Sequence, residues 1–374
     1  MAGACSSETT RMDSDRTLMV HYPFLSVIIP VLNERLCLPL LLKDLALQQY
    51  PRDRWEIIVA DGGSVDGTVD FVRSQSGDYP VALSLVPNLR RRSSAGRNAG
   101  VKAARGEIVA FIDGHTRVQN PQLLLRTAEL FETTGAHCLC RAQPLVGLPG
   151  NRWSENIAAT RASRFGHGSA SLIYDRNFIG PCDPRSSGAV YRREVFKALG
   201  LYDESFDACE DVEFNTRLWL SGKLAYAHPD LAIDYQARST IRGLWRQMVR
   251  YGQGRVRLAR KHRSERSIRS LAPAMLVILL MTATGVWFSW VCALPLVAYV
   301  AVIVLLATVT TWNDRRRSAF AAAVILPVIH LGLGTGMLME TISGAGPQTF
   351  KDAALDVGQI NVAIAADETQ HVLR

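Results

Sequence analysis

Between Ser270 and Asn313 the chain holds no Asp, Glu, Lys or Arg. At about 1.5 Å of rise per helical residue, that stretch is long enough to cross the roughly 30 Å hydrocarbon layer of a bilayer twice, and too long for one core helix of a soluble domain. Leu294 and Pro295, with Trp287 and Trp290 before them, mark a turn at a membrane boundary, where aromatic rings collect. One span is expected near 271–289 and another near 293–312. A third uncharged run, Ser318 to Met339, precedes Glu340, so a transmembrane region of three spans is expected over 271–340. A complete third span would leave the tail, 341–374, on the far side. "GLGTG" at Gly332 to Gly336 reads as a close helix-packing face; a re-entrant segment is the alternative, and would return the tail to the cytosol.

The formal net charge is +8, and its location says more than its size. Ile241 to Ser270 concentrates arginines, from Arg242 to Arg269, against Glu265 alone. Lying directly before the first span, this segment (241–270) is expected at the cytosolic surface, attracted to anionic headgroups. Nucleic acid is the rival partner for a basic run, but no nucleic-acid motif accompanies it, so none is expected. "NDRRR" at 313–317 falls on the same side, between spans two and three. The first 23 residues contain no apolar signal core and are expected to be a flexible segment, leaving the following domain in the cytosol. There the seven cysteines stay reduced, and "HCLC" at His137 to Cys140, lacking a partner pair with zinc spacing, reads as buried thiols. The expected location is thus the cytoplasmic membrane, multi-pass, with 24–240 as a cytosolic domain.

Within that domain short apolar strands alternate with helical stretches. "FLSVIIP", "WEIIVA", "VALSLV" and "EIVAFI" are separated by "NERLCLPLLLKDLALQQ", "SVDGTVDFVRSQ" and "SAGRNAGVKAA". Four strands with three crossover helices predict an α/β, Rossmann-like fold with a mostly parallel sheet and helices on both faces. Ligands of such sheets bind beyond the carboxyl ends of the strands. Polar clusters fall at those ends: Asn33 and Glu34 after Pro30, Asp61 after the second strand, Asn88 and an arginine triplet after the third, Asp113 after the fourth. Singly each has a plain reading, Asp61-Gly62-Gly63 as a turn and Asp66 as a helix cap; together they mark one rim.

A nucleotide-diphosphate sugar suits such a rim. Its base needs donors and acceptors, and its diphosphate needs a cation and positive side chains. Asp113 and His115 stand two residues apart, so a tight turn could aim both at one ion; carboxylate with imidazole suits Mn²⁺ well, with Mg²⁺ as the second choice. Hydrogen bonding within the turn is the alternative for His115. Further on, a helix is expected to start near Cys209 with Glu210 and Asp211 adjacent. Consecutive helical side chains diverge by about 100°, so the two acids have separate jobs: one faces a site, where it can act as a general base, and the other holds the scaffold.

The ordered series "SVIIPVLNE", "IIVADGGSVDGT", "AGRNAGVKAARGEIVAFIDGHT", "SSGAVYRREVFKALGLYDESF" and "EDVEFNTRLWLSGKLAYAHP" resembles the family 2 glycosyltransferases, inverting enzymes with a GT-A domain, over about 24–231. The Asp-x-His form and "WRQMVRYGQGR" are most similar to the exopolysaccharide glucosyltransferase branch that includes the succinoglycan enzyme. The resemblance implies that Pro30, Asn33 and Glu34 border the nucleotide, that Asp61 binds the base, and that Asp66 stabilises the turn at Gly63. It places Arg97 and Asn98 near the diphosphate, and Asp113 with His115 at the family's Asp-x-Asp metal motif. Gly188 would open room for sugar or acceptor, Asp211 would be the catalytic base with Glu210 alongside, and Gln247, Arg250 and Tyr251 would meet the acceptor. Processive members carry Trp where Tyr251 stands, and three short spans offer little conduit, so a single transfer to a lipid-linked or polysaccharide acceptor is expected. A processive synthase and a non-catalytic nucleotide-sugar-binding membrane protein remain open. A uridine nucleotide with glucose is the implied donor.

Overall fold

The computed structural model describes residues 22–168, 172–265, 268–312 and 318–344. The expectations for the first 21 residues, for "NDRRR" and for the tail beyond 344 lie outside the described residues. The chain opens with β1 (Leu25–Val31), α1 (Leu38–Ala46), β2 (Trp55–Asp61), α2 (Thr68–Gln75), β3 (Ala82–Pro87), α3 (Ser93–Ala103) and β4 (Ile108–Phe111). These four strands pair in parallel in the order β3-β2-β1-β4, with Ile28 facing both Ile58 and Phe111. Both faces of β1 are covered because its side chains alternate between two cores. Val27 and Ile29 join Leu38, Leu41 and Phe131 on one face, whereas Ile28 meets Val101, Phe111 and Tyr191 on the other. β3, at the edge, keeps only Leu83 buried, and tolerates Pro87 at its end for that reason.

The second half completes the sheet. It comprises β5 (Thr116–Arg117), α4 (Leu123–Thr134), β6 (Cys138–Cys140), β7 (Leu145–Val146), α5 (Arg152–Ala162), β8 (Gly180–Pro181), β9 (Gly188–Arg192), α6 (Arg193–Leu199), α7 (Glu210–Leu220), β10 (Ala225–Ala227) and β11 (Asp234–Gln236). β9 inserts antiparallel between β4 and β6, giving eight strands in the order β3-β2-β1-β4-β9-β6-β10-β8, while β5, β11 and β7 form a small separate sheet. Cys138 and Cys140 of "HCLC" are fully buried in β6. Among the described residues no group of three or more His, Cys, Asp or Glu is placed to hold a metal.

The remaining helices are α8 (Ile241–Lys261), α9 (Ala272–Met281), α10 (Leu294–Thr311) and α11 (Ala319–Ser343). By length and composition two helices could cross a membrane, Trp290–Thr311 and Ala319–Ser343. The first expected span is shorter. Its α-helix stops at Met281, where the Thr282 and Thr284 hydroxyls donate to the carbonyls of Leu279 and Met281 and the chain tightens into a 3-10 turn through Trp287. The turn between the first two apolar segments falls at Phe288 and Ser289, with Trp287 and Trp290 exposed beside it. The arginine-rich segment is not a loose tether: α8 is a continuous helix whose Leu244 and Met248 share a core with Ile157 of α5 and with Ala321, Ile325 and Ile329 of α11.

Candidate active site

A cavity of about 980 Å³ opens above the carboxyl ends of the parallel strands and continues toward α8 and α11. Pro30, Glu34, Asn88, Arg97, Asp113, His115, Glu210 and Asp211 line one part; Gln247, Arg250 and Tyr251 line another. Residues far apart in sequence thus converge as the strand-end rule predicts. Only three described residues other than glycine have positive φ, Asn33 at 58°, Arg91 at 56° and Cys209 at 61°. All three sit in or beside the cavity wall, where backbone strain is held by surrounding contacts.

The centre of the site is a charge chain. Arg97, projecting from α3, donates to Asp113 Oδ1 at 2.9 Å and lies 3.6 Å from Glu210 Oε1. Its guanidinium also stacks 5.1 Å from the Phe111 ring. Burial opposes the charge on Asp113, yet Arg97 and His115 beside it hold its carboxyl below the usual carboxylate range. His115 Nδ1 meets Glu34 Oε1 at 2.9 Å, and the ring packs edge-on to Tyr235. Burial disfavours imidazolium, but Glu34 and then Asp113 outweigh it and raise the His115 pKa. His115 Nε2 is buried without a hydrogen-bond partner. A carboxylate and an oriented imidazole with a free buried nitrogen fit a divalent ion, with Glu34 as the outer partner that fixes the ring.

Glu210 and Asp211 begin α7, after Cys209 in a left-handed conformation. They divide as consecutive helical positions should. Glu210 is buried against Arg97, and Asp211 is the more exposed, its Oδ1 accepting from the Val212 amide. Burial, then the Glu210 charge, pushes the Asp211 carboxyl up to about 6. A carboxylate so tuned is ionised at neutral pH yet basic enough to take a proton.

Several residues expected to meet ligands also hold the loops of the wall. Asp61 accepts from the Gly63 and Ser64 amides at 2.7 and 3.1 Å, holding the turn in which Gly63 has a φ of 82°. Asn33 accepts from Val65 N at 2.8 Å, and Asp66 accepts from Arg35 N and Thr68 N, so both tie the loop after β1 to the loop after β2. Asn98, placed near a diphosphate by the resemblance, is buried and bonded to the Tyr202 backbone in both directions and to Glu204. Gly188 makes room for the Asn215 side chain: a Cβ there would lie 2.7 Å from Asn215 Oδ1, and the Gly188 carbonyl accepts from Tyr191 and Asn215.

At the other end, Gln247 Oε1 accepts from Arg161 Nη1 at 3.1 Å and Gln247 Nε2 lies 3.4 Å from the Tyr251 hydroxyl. Arg250 donates to the Asp207 carbonyl at 2.5 Å. The i, i+3, i+4 spacing of Gln247, Arg250 and Tyr251 puts them on one face of α8. Sequence reasoning missed Arg161, a buried guanidinium whose Nε has no partner. It also missed Arg141, which donates to the Phe111 carbonyl and whose pKa burial lowers to about 10. Neither sits in a motif; only the fold brings them near Asp113 or Gln247.

Residues 26–200 match the family described as Glycosyl transferase family 2. The succinoglycan biosynthesis protein ExoA of Rhizobium meliloti is 27% identical over 318 residues, covering 84% of this chain and 94% of that protein. The glycosyltransferase AglE of Haloferax volcanii is 29% identical over 239 residues, 63% of this chain and 74% of that one. Among solved structures, the mannosyltransferase PcManGT from Pyrobaculum calidifontis, in complex with GDP-Man and Mn²⁺, superposes with a TM-score of 0.54 at 20% identity, covering 84% of this chain and 88% of that one. That likeness supports the GT-A arrangement of the sheet. The family match spans β1 to α6, just under half of the chain, and over that stretch, which carries Arg97, Asp113 and His115, the chain is similar to the glycosyltransferases of family 2.

Proposed function

We propose that the protein is a membrane-anchored, inverting hexosyltransferase that moves a sugar, glucose from a uridine nucleotide in the first instance, onto a lipid-linked or polysaccharide acceptor in cell-surface glycan synthesis. The observation that carries this reading is Asp211. It shares one cavity with Asp113 and His115 and has a carboxyl pushed up to about 6. In the proposed step Asp211 takes the proton of an acceptor hydroxyl while that oxygen forms a bond to the anomeric carbon. The bond from that carbon to the diphosphate oxygen breaks from the opposite face, and the nucleotide diphosphate leaves with the electron pair. Arg97, clamped between Asp113 and Glu210, fixes the distance between donor and base ends of the site. A Mn²⁺ or Mg²⁺ ion held by Asp113 and His115 Nε2 would offset the charge that gathers on the leaving diphosphate. Gln247, Arg250, Tyr251 and Arg161 would hold the acceptor, Arg161 Nε being a buried donor still without a partner. The cavity's extension to Leu271 and Met337, on apolar segments, favours an acceptor delivered from the membrane side.

The test is nucleotide release by detergent-purified protein from a panel of nucleotide sugars, with and without Mn²⁺ and membrane lipid extract, beside His115→Ala. Metal-dependent release from one donor, weakened in the variant, is expected. No release from any donor would leave a nucleotide-sugar-binding protein without turnover.

A further inference from the structure

α11 touches the catalytic domain at its start and midway, and at its end is tied to it through α8. At its start, Ser318 N donates to Asn156 Oδ1 of α5 at 3.0 Å. Midway, His330 Nε2 lies 3.0 Å from the carbonyl of Phe165, just beyond α5. At its end, Glu340 pairs with Arg257 at 2.9 Å and with Arg260 at 3.3 Å, and Arg257 continues to Asp207 at 2.5 Å, in the loop that leads to Glu210 and Asp211. Between these points the helix is laid along α8 with its glycines inward. A Cβ on Gly336 would strike the Val249 carbonyl, one on Gly252 would strike the Leu333 carbonyl, and one on Gly332 would come within 2.7 Å of Met248 Cβ.

The 25 residues of α11 span about 37 Å, more than the roughly 30 Å hydrocarbon layer. A helix of that length crossing a bilayer would carry one end to the far face, away from any domain on the near one. α8, which runs beside it, holds six arginines and Lys261 and cannot occupy hydrocarbon. On its opposite side α11 receives α9 and α10: a Cβ on Gly334 would strike the Pro273 carbonyl, and Tyr299 bonds His330 at 3.3 Å. The outer surface of this pair is apolar and exposed, with Trp287 92%, Phe288 94% and Trp290 72% accessible.

We propose that α11, although apolar and long enough to span, lies in the plane of the membrane surface between α8 and the α9–α10 hairpin. Only that hairpin enters the lipid and returns, so the chain leaves α11 on the same side as the active site. The occupant of the exposed hairpin face is the acyl layer of a bilayer, matched by the uncharged run from Ser270 to Asn313 and flanked by the cationic α8 that suits anionic headgroups. The inference rests on the membrane association proposed above.

The experiment uses the full-length, active chain with an N-terminal tag, a specific protease site placed within 313–317 and a second one after Arg374, in sealed vesicles of either orientation. Both sites are expected to be cut in the vesicles whose outer face exposes the N-terminal tag, and neither in the reverse orientation. A C-terminal site cut only in the reverse vesicles would establish an odd number of crossings and overturn the proposal. A 313–317 site cut only there would overturn it too, because the α9–α10 segment would then cross once instead of returning. If the untagged chain fractionates as soluble without detergent, it is the membrane reading that fails, before orientation is asked.

Discussion

Asp211→Asn separates the chemistry of this site from its stability. The carboxyl, with an ordinary value of 3.8, is pushed up to about 6 by burial and by Glu210. At pH 7 about nine-tenths of the molecules hold Asp211 ionised, and below pH 6 that fraction falls about tenfold per unit. Transfer should follow it, with an acid limb near pH 6. Replacing the base should lower kcat by roughly 10²- to 10⁴-fold and leave nucleotide affinity near its original value. The folded protein holds the Asp211 proton more tightly than the unfolded chain does, so ionisation costs stability as pH rises from about 4 to 6, and the whole cost is present above 6. A shift of that size corresponds to on the order of 2–3 kcal/mol. Asp211→Asn should therefore melt at higher temperature than the parent at pH 7 to 8, with the gain vanishing toward pH 4. Nucleotide release against pH and thermal unfolding at matched pH values make the two measurements. A variant that retains kcat, or that is less stable than the parent at pH 7, would refute the reasoning.

Three further outcomes are expected. Glu34→Gln should weaken the apparent Mn²⁺ affinity by roughly 10- to 100-fold through its hold on His115, as loss of an outer partner of a metal ligand does, measured as a raised Mn²⁺ half-saturation of nucleotide release. Glu340→Ala leaves Arg257 buried with half its partners and should destabilise by roughly 3–5 kcal/mol, seen as a lower melting temperature and as lower activity through the Asp207 loop. Gly188→Ala forces a methyl against Asn215 and should cost about 1–3 kcal/mol, with its effect on kcat cancelled when Asn215 is replaced by a smaller residue.

Much of this was legible in the sequence, for identifiable reasons. The four parallel strands run from 25–31, 55–61, 82–87 and 108–111, close to the apolar runs, because β1, β2 and β4 are buried on both faces and read as nearly continuous apolar stretches. The rim was legible because strand ends and polar residues coincide. Spacing alone separated Glu210 from Asp211. What could not be read was which polar residues turn inward. Asn33, Asp61 and Asn98 look like ligand contacts in a linear motif, yet each spends its hydrogen bonds on backbone amides or carbonyls of neighbouring loops. Arg161 and Arg141 carry no local signal, since their partners lie 86 and 30 residues away. The packing of the membrane region was not legible for a related reason. Hydropathy measures how apolar α11 is, but its packing on α5 and α8 depends on the glycines that let it approach, and on Glu340 finding Arg257.

The account stands most directly on the stereochemistry of transfer. Product formed from an α-linked nucleotide sugar and a membrane lipid extract should be isolated and its anomeric proton read by NMR. A β-linkage, formed by the parent and lost in Asp211→Asn, is the predicted result. An α-linkage, or equal product from the variant, would contradict direct displacement with Asp211 as base.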